Sequence, residues 1–220
     1  MKKVKGDSTR CIHDGVEREK PFNTITNPII HNAPYTFKDS TDLDNYMFQR
    51  VWGGQTNGRS EYARDGNPGI LAVEKRLAAL EGADEALLFA SGMNAYTTLL
   101  ISTLKSDDHI ILTDDCYRHS REFCETYLKG FGVDITIVPT GDYTALENAT
   151  QEQTKYIISE SPTNPYLFIV DFERIAAIAK SCGAKTIIDS TFGTPLNHQP
   201  IKHGIDFVWH SATKYLGGHH

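Results

Sequence analysis

With 220 residues, the chain suffices for one domain with an appendage and can bury a sizeable core. A net charge of −6 argues against a surface built for nucleic acid or anionic membrane. Apolar residues at 40% and charged ones at 23% are ordinary for a soluble globular protein, and no segment is long and apolar enough to span a bilayer, so a cytosolic protein is expected.

The start, Met1 to Asp7, is basic but leads into no apolar stretch. The first sixty residues are rich in Asn, Thr, Pro and Gly, and Asn27-Pro28, Ala33-Pro34 and Gly53-Gly54 mark turns. Residues 1–60 are therefore expected to form an extended arm, with a domain over 61–220. The Gly53 to Gly58 loop follows no strand and is not a dinucleotide fingerprint. Next comes a helix with Asn67 as N-cap and Pro68 at its first position. Ile70, Val73, Leu77 and Leu80 form its stripe, and Gly82 ends it. From about Glu85, apolar runs alternate with helical stretches. The runs are Ala86–Ala90, His109–Leu112, Ile135–Val138, Tyr156–Ser159, Thr186–Ile188 and Ile205–Trp209. They do not alternate polar with apolar, as expected of parallel strands covered on both faces. Between two of them a helix over Glu173–Ser181 places Ile175, Ile178 and Ala179 on one face and stops at Gly183. Repeated strand–helix–strand units predict an open, mostly parallel α/β sheet with right-handed crossovers and helices on both faces.

Ligands of such sheets bind beyond the carboxyl ends of the strands. Ser91-Gly92-Met93 follows the first run and Tyr117 the second. Asn164 follows the fourth, Asp189 ends the fifth, and Lys214 follows the sixth. Lys214 is preceded by Ser211 and Thr213 and followed by Gly217-Gly218. A lysine in that setting suits a carbonyl cofactor with a phosphate tail: the amine condenses with the aldehyde while the hydroxyls hold the phosphate. With Asp189 to hold a pyridine nitrogen protonated, the set points to pyridoxal 5'-phosphate (PLP). Singly, the residues have plainer readings. Tyr117 could be a core aromatic, Asp189 a turn cap, Arg64 a solvated charge and Met93 packing at a helix start. Lys214 is the hardest to dismiss as mere solvation.

Other chemistries fit less well. Cys11, Cys116, Cys124 and Cys182 lack paired metal-ligand spacing and read as ordinary thiols in a reducing compartment. His198, His203, His210, His219 and His220 crowd the end without a His-x-x-x-His pair, so no metal is expected. Ser211-Ala212-Thr213-Lys214 fits the Ser-x-x-Lys pattern of penicillin-binding acyltransferases. Its Lys-Thr-Gly partner is absent, and Ser106-Asp107-Asp108 is only a near miss for Ser-Asp-Asn.

Five motifs in order carry a resemblance: Tyr62-Ala63-Arg64-Asp65-Gly66-Asn67-Pro68, Ala90-Ser91-Gly92-Met93, Glu160 to Pro165, Asp189 to Pro195, and His210 to Tyr215. The chain resembles the Cys/Met-metabolism (transsulfuration) PLP enzymes, which include cystathionine γ-synthase, cystathionine lyases and O-acylhomoserine sulfhydrylases. The resemblance implies the large domain of a fold type I PLP-dependent transferase, the aspartate-aminotransferase-like fold. It makes Lys214 the Schiff-base lysine and proton shuttle, and Asp189 the partner of the ring nitrogen. Asn164 matches the residue on the ring hydroxyl and Tyr117 the one stacked on the ring, with a share in proton transfer. Gly92 and Met93 would offer backbone N–H groups to the phosphate, joined by Ser211 and Thr213. Tyr62 and Arg64 match residues that reach the neighbouring subunit's phosphate, implying a homodimer or homotetramer.

Within the family, Thr113 to Arg118 and Glu160 to Leu167 look most like plant-type cystathionine γ-synthases. Methionine γ-lyases carry a cysteine where this chain has His119, which disfavours that reading. The implied reaction is γ-replacement on an O-acylhomoserine by cysteine, with cystathionine cleavage and sulfide addition as the alternatives. Family chains are nearly twice as long, whereas this sequence ends at His220, six residues after Lys214. The C-terminal domain and its substrate-carboxylate arginine therefore have no counterpart here. A complementing C-terminal polypeptide, or a non-catalytic role as an interaction subunit, is expected on that ground.

Overall fold

A computed structural model describes residues 6–53 and 59–219. The basic start over residues 1–5, most of the Gly53–Gly58 loop (residues 54–58) and His220 lie outside the described residues. The chain forms two compact units, Met1–Leu88 and Phe89–His220.

The first unit holds α1 (Asp7–His13), α2 (Ser40–Trp52) and α3 (Pro68–Glu81). Helix α3 starts and stops where its sequence signals lie. The Asn67 side chain accepts the Gly69 N–H, and Gly82 takes a left-handed conformation after the last turn. The Asn67 amide also donates to Ile30 O at 2.9 Å, which fastens the preceding segment to the start of α3. Arg10 of α1 donates to Ala79 O at 2.8 Å, a cation at the end of α3 where the helix dipole favours it. Among the described residues of the segment 1–60, expected to be extended, lie α1, α2 and a short 3-10 helix at Pro21–Asn23. Helix α1 buries no residue, and α2 buries only Tyr46 although Leu43, Met47 and Val51 stand at helical spacing with it. Their signals are local instead: Asp39 caps α2 by accepting from Asp42 N, and Gly53 ends it.

The second unit runs α4 (Gly92–Thr103), β1 (His109–Thr113), α5 (Arg118–Phe123), β2 (Asp134–Val138), α6 (Tyr143–Asn148), β3 (Thr154–Glu160), α7 (Phe172–Cys182), β4 (Lys185–Asp189), α8 (Thr194–Asn197) and β5 (Phe207–Trp209). The five strands form one sheet in the order β2-β1-β3-β4-β5, and every pairing is parallel. Alternate residues of the central strands feed two cores. Ile110, Leu112, Tyr156, Ile158 and Ile187 pack with Tyr96 and Leu100 of α4 and with Cys124 and Leu128 beyond α5. Ile111, Ile157 and Ile188 pack on the other face with Leu146 of α6 and Ile175, Ile178 and Ala179 of α7. Both faces are covered, which is why the strands read as unbroken apolar runs.

One run does not become a strand. Ala86–Ala90 finds no ladder partner among the described residues and stays irregular, since backbone groups in a strand need a neighbour to pair with. From β1 the chain goes to β2 on one side, then crosses back to β3, β4 and β5 on the other. The winding reverses between β1 and β3, and in sheets of this kind the ligand crevice lies at the carboxyl ends of those strands.

Candidate functional site

The carboxyl edge of this sheet brings most of the singled-out residues into one unit. Asp189 is the last residue of β4 and is 6% exposed. Its Oδ1 accepts the Thr191 N–H at 3.0 Å and the Thr191 hydroxyl at 2.5 Å. Oδ2 makes no hydrogen bond among the described residues. Burial pushes the carboxyl above its usual range, against the opposing pull of Thr191, His210 and Lys214. A buried carboxylate with one oxygen left over fits a cationic ring N–H, which would compensate the lost hydration.

Thr191 also ties Asp189 to the lysine loop, because its Oγ1 accepts the Ser211 N–H at 2.9 Å. The loop leaves β5 at Trp209, and the Lys214 N–H closes a turn on Ser211 O at 3.1 Å. Gly217 is required there: a side chain at that position would lie 2.3 Å from Ala212 O. Ser211 is half-buried, while Thr213 and Lys214 face outward.

Helix α4 reaches the same loop. Ser91 caps it, accepting the Asn94 N–H at 3.0 Å, and this leaves the Gly92 and Met93 N–H groups at the open first turn. A Cβ on Gly92 would lie 3.0 Å from both Cα and Cβ of Ser211, so only glycine lets the helix start and the lysine loop approach this closely. Trp209 Nε1 donates to Gly92 O at 2.7 Å, and the Trp209 ring stacks on Tyr96 of α4 at 4.7 Å. The helix-start amides and the Ser211 hydroxyl beside them, 3.2 Å from where a Cβ on Gly92 would lie, are groups of the kind that suit a phosphate.

Tyr117 and Asn164 come from the two strands that flank the crevice. Tyr117 precedes α5, is 39% exposed, and sets its ring edge-on to His119 at 5.3 Å. Its backbone N–H donates to Glu160 Oε2 at 2.6 Å. Glu160 ends β3, and the Asn164 backbone N–H lies near enough to favour its charged form, while Asn164 itself is exposed. Sequence reasoning assigned no role to Glu160 or Thr191. Strand pairing is the signal that could have found the first, because Glu160 is the ladder partner of Asp189.

Tyr62 and Arg64 lie in the first unit, on a segment whose Pro34↔Tyr62 bridge ties it to the arm. The Arg64 guanidinium sits 4.7 Å above the Tyr62 ring, and both side chains are exposed. Arg50 of α2 pairs with Glu61 and, at 3.4 Å, with Asp65, so the helix fixes both ends of the segment. Among the described residues no group of three or more His, Cys, Asp or Glu is placed to hold a metal ion, and no helix is long and apolar enough to cross a membrane.

The chain matches known proteins over nearly its whole length. The family model described as Cys/Met metabolism PLP-dependent enzyme matches residues 8–220. Cystathionine gamma-synthase 1, chloroplastic, of Nicotiana tabacum is 39% identical over 98% of this chain and 39% of its own length. The cystathionine beta-lyase MetC of Staphylococcus haemolyticus is 43% identical over 78% of this chain and 43% of its own. Among solved structures, a putative O-acetylhomoserine (thiol)-lyase (metY) of Campylobacter jejuni superposes with a TM-score of 0.86 at 31% identity. The match covers 96% of this chain and 50% of that one, which contains N'-pyridoxyl-lysine-5'-monophosphate. The chain spans half or less of the length of each of these three proteins.

Proposed function

The chain belongs to the Cys/Met metabolism PLP-dependent enzyme family, and from that premise we propose that it carries the cofactor-binding part of a cystathionine γ-synthase, which exchanges the γ-acyloxy group of an O-acylhomoserine for the thiol of cysteine. The observation that carries the reading is the convergence of the Lys214 loop, Asp189, the start of α4 and the Tyr117 and Asn164 loops on one sheet edge. The cofactor of the family, pyridoxal phosphate, supplies an electron sink for a carbanion at the substrate α-carbon.

The chain's own residues divide the remaining work. Asp189 would hold the ring nitrogen in its protonated form, with Thr191 fixing the carboxylate in orientation. Gly92 and Met93 N–H groups, with Ser211 and Thr213, bind the phosphate. Asn164 bonds the ring hydroxyl, and Tyr117 covers the ring face. Lys214 would hold the cofactor through its amine, and that amine would move the Cα and Cβ protons of the substrate, with the Tyr117 hydroxyl assisting. Tyr62 and Arg64 extend to the phosphate of a second copy, so the working unit is a homodimer or a larger homo-oligomer.

Cleavage of cystathionine is the second reading, supported by the 43% identity with the Staphylococcus enzyme. Product analysis decides between them. The chain, alone and mixed with the C-terminal half of a relative, is given an O-acylhomoserine with cysteine, an O-acylhomoserine with sulfide, or cystathionine. Cystathionine formed in the first mixture supports γ-replacement. Homocysteine formed only from sulfide or from cystathionine reassigns the reaction, and no product in any mixture with a folded, PLP-loaded sample contradicts a catalytic role.

A further inference from the structure

Glu160 takes no part in the chemistry assigned above, yet its carboxyl is 2% exposed at the floor of the crevice. It accepts the Tyr117 N–H at 2.6 Å, and the Asn164 backbone N–H faces it closely enough to favour its charged form. Those amides open two loops that start from different strands, β1 and β3. The ionisable groups that face Glu160 are Asp115 and Cys116 beyond β1 and Asp189 on β4. A buried acid among acidic neighbours is an expensive way to fill a strand end. An apolar residue would pack there more cheaply, so the bonds to the two loops are what the carboxyl contributes.

From this geometry we infer that Glu160 is a positioning residue: one side chain fixes the Tyr117 and Asn164 loops against Asp189 and thereby sets the tilt of the cofactor ring. The inference rests on the cofactor reading above. Burial, with the Asp189 charge behind it, pushes the carboxyl up to about 8. At neutral pH it therefore holds both loops without setting a full negative charge beside Asp189.

The test uses Glu160→Leu and Glu160→Gln in the full chain with two readouts. The first is hydrogen exchange at the Tyr117 and Asn164 amides without cofactor. The second is the circular dichroism induced in bound PLP, on samples whose attachment to Lys214 is verified by borohydride reduction and peptide mapping. Glu160→Leu should exchange both amides on the order of tenfold faster, weaken the induced band and bind PLP about tenfold less tightly, while Lys214 still attaches it. Glu160→Gln keeps an acceptor oxygen and should recover most of each loss. Wild-type exchange and an unchanged induced band in a folded Glu160→Leu overturn the inference, as does loss of protection at one amide only. If Glu160→Leu does not fold, Glu160→Gln decides: the induced band should change between pH 6 and 9 in wild type and stay flat in the variant. Parallel profiles overturn the inference. Failure of wild type to attach PLP at Lys214 sinks the cofactor reading instead, and amide exchange still judges the loop fastening.

Discussion

At the scale of single residues, the site is a set of buried carboxyls whose protons the fold controls. Glu160 is pushed up to about 8 by burial first and by Asp189 second. Its folded form thus holds a proton more tightly than the unfolded chain does. The stabilisation from that proton is complete below the ordinary carboxylate range and is lost as pH rises through about 8. Asp189 is shifted in the same direction and adds to the same slope. The unfolding midpoint of the cofactor-free chain should therefore fall between pH 5 and 9, and Glu160→Gln should flatten the fall. The slope is worth about 1.4 kcal/mol for each pH unit over which a full proton is released. Thermal melts at spaced pH values check this, and identical slopes in both chains would exclude Glu160 as a source. Lys214, Asp189, Tyr117 and Asn164 were legible in the sequence because each follows a strand with side-chain chemistry suited to one ligand. Glu160 was not, because its partners are backbone N–H groups that only the folded loops bring to it.

Between elements, the decisive contact is α4 against the lysine loop. A Cβ at Gly92 would press on the Ser211 backbone at 3.0 Å, and Trp209 Nε1 holds the Gly92 carbonyl from the other side. Gly92→Ala should therefore cost about 1–3 kcal/mol in urea unfolding. It should also lower the affinity for free inorganic phosphate, measured by calorimetry, by displacing the first-turn amides from the Ser211 side. Unchanged stability together with unchanged phosphate binding would show that the contact is looser than the geometry requires. The central strands β1, β3 and β4 could be read from their apolar runs, since each is covered on both faces. Helix α2 could not: it buries only Tyr46 and is defined by a cap at Asp39 and ion pairs through Arg50 and Asp42. Ala86–Ala90 has strand composition without a strand, because composition does not supply a pairing partner.

For the whole molecule, one unit carries Lys214, Asp189 and the other residues proposed to hold the cofactor ring, and the other carries the exposed Tyr62–Arg64 pair. If that pair completes a second copy's site, PLP affinity should rise with chain concentration through the range where dimers form. Arg64→Ala should remove that dependence and weaken binding about tenfold at high concentration, the worth of a charge-assisted bond to phosphate. Sedimentation and PLP titration on the same samples check it, and a concentration-independent affinity would assign the pair to a structural role. Beneath all of this lies the claim that Lys214 is the residue that takes up the cofactor. The direct measurement adds PLP to the purified chain and its Lys214→Ala variant, records the visible spectrum, reduces with borohydride and maps the labelled peptide by mass spectrometry. A visible absorption band that reduction abolishes, with the pyridoxyl mass fixed on Lys214 and missing from the variant, is the predicted result. A folded wild-type chain that gains no label at Lys214, or a variant that labels equally, would contradict it.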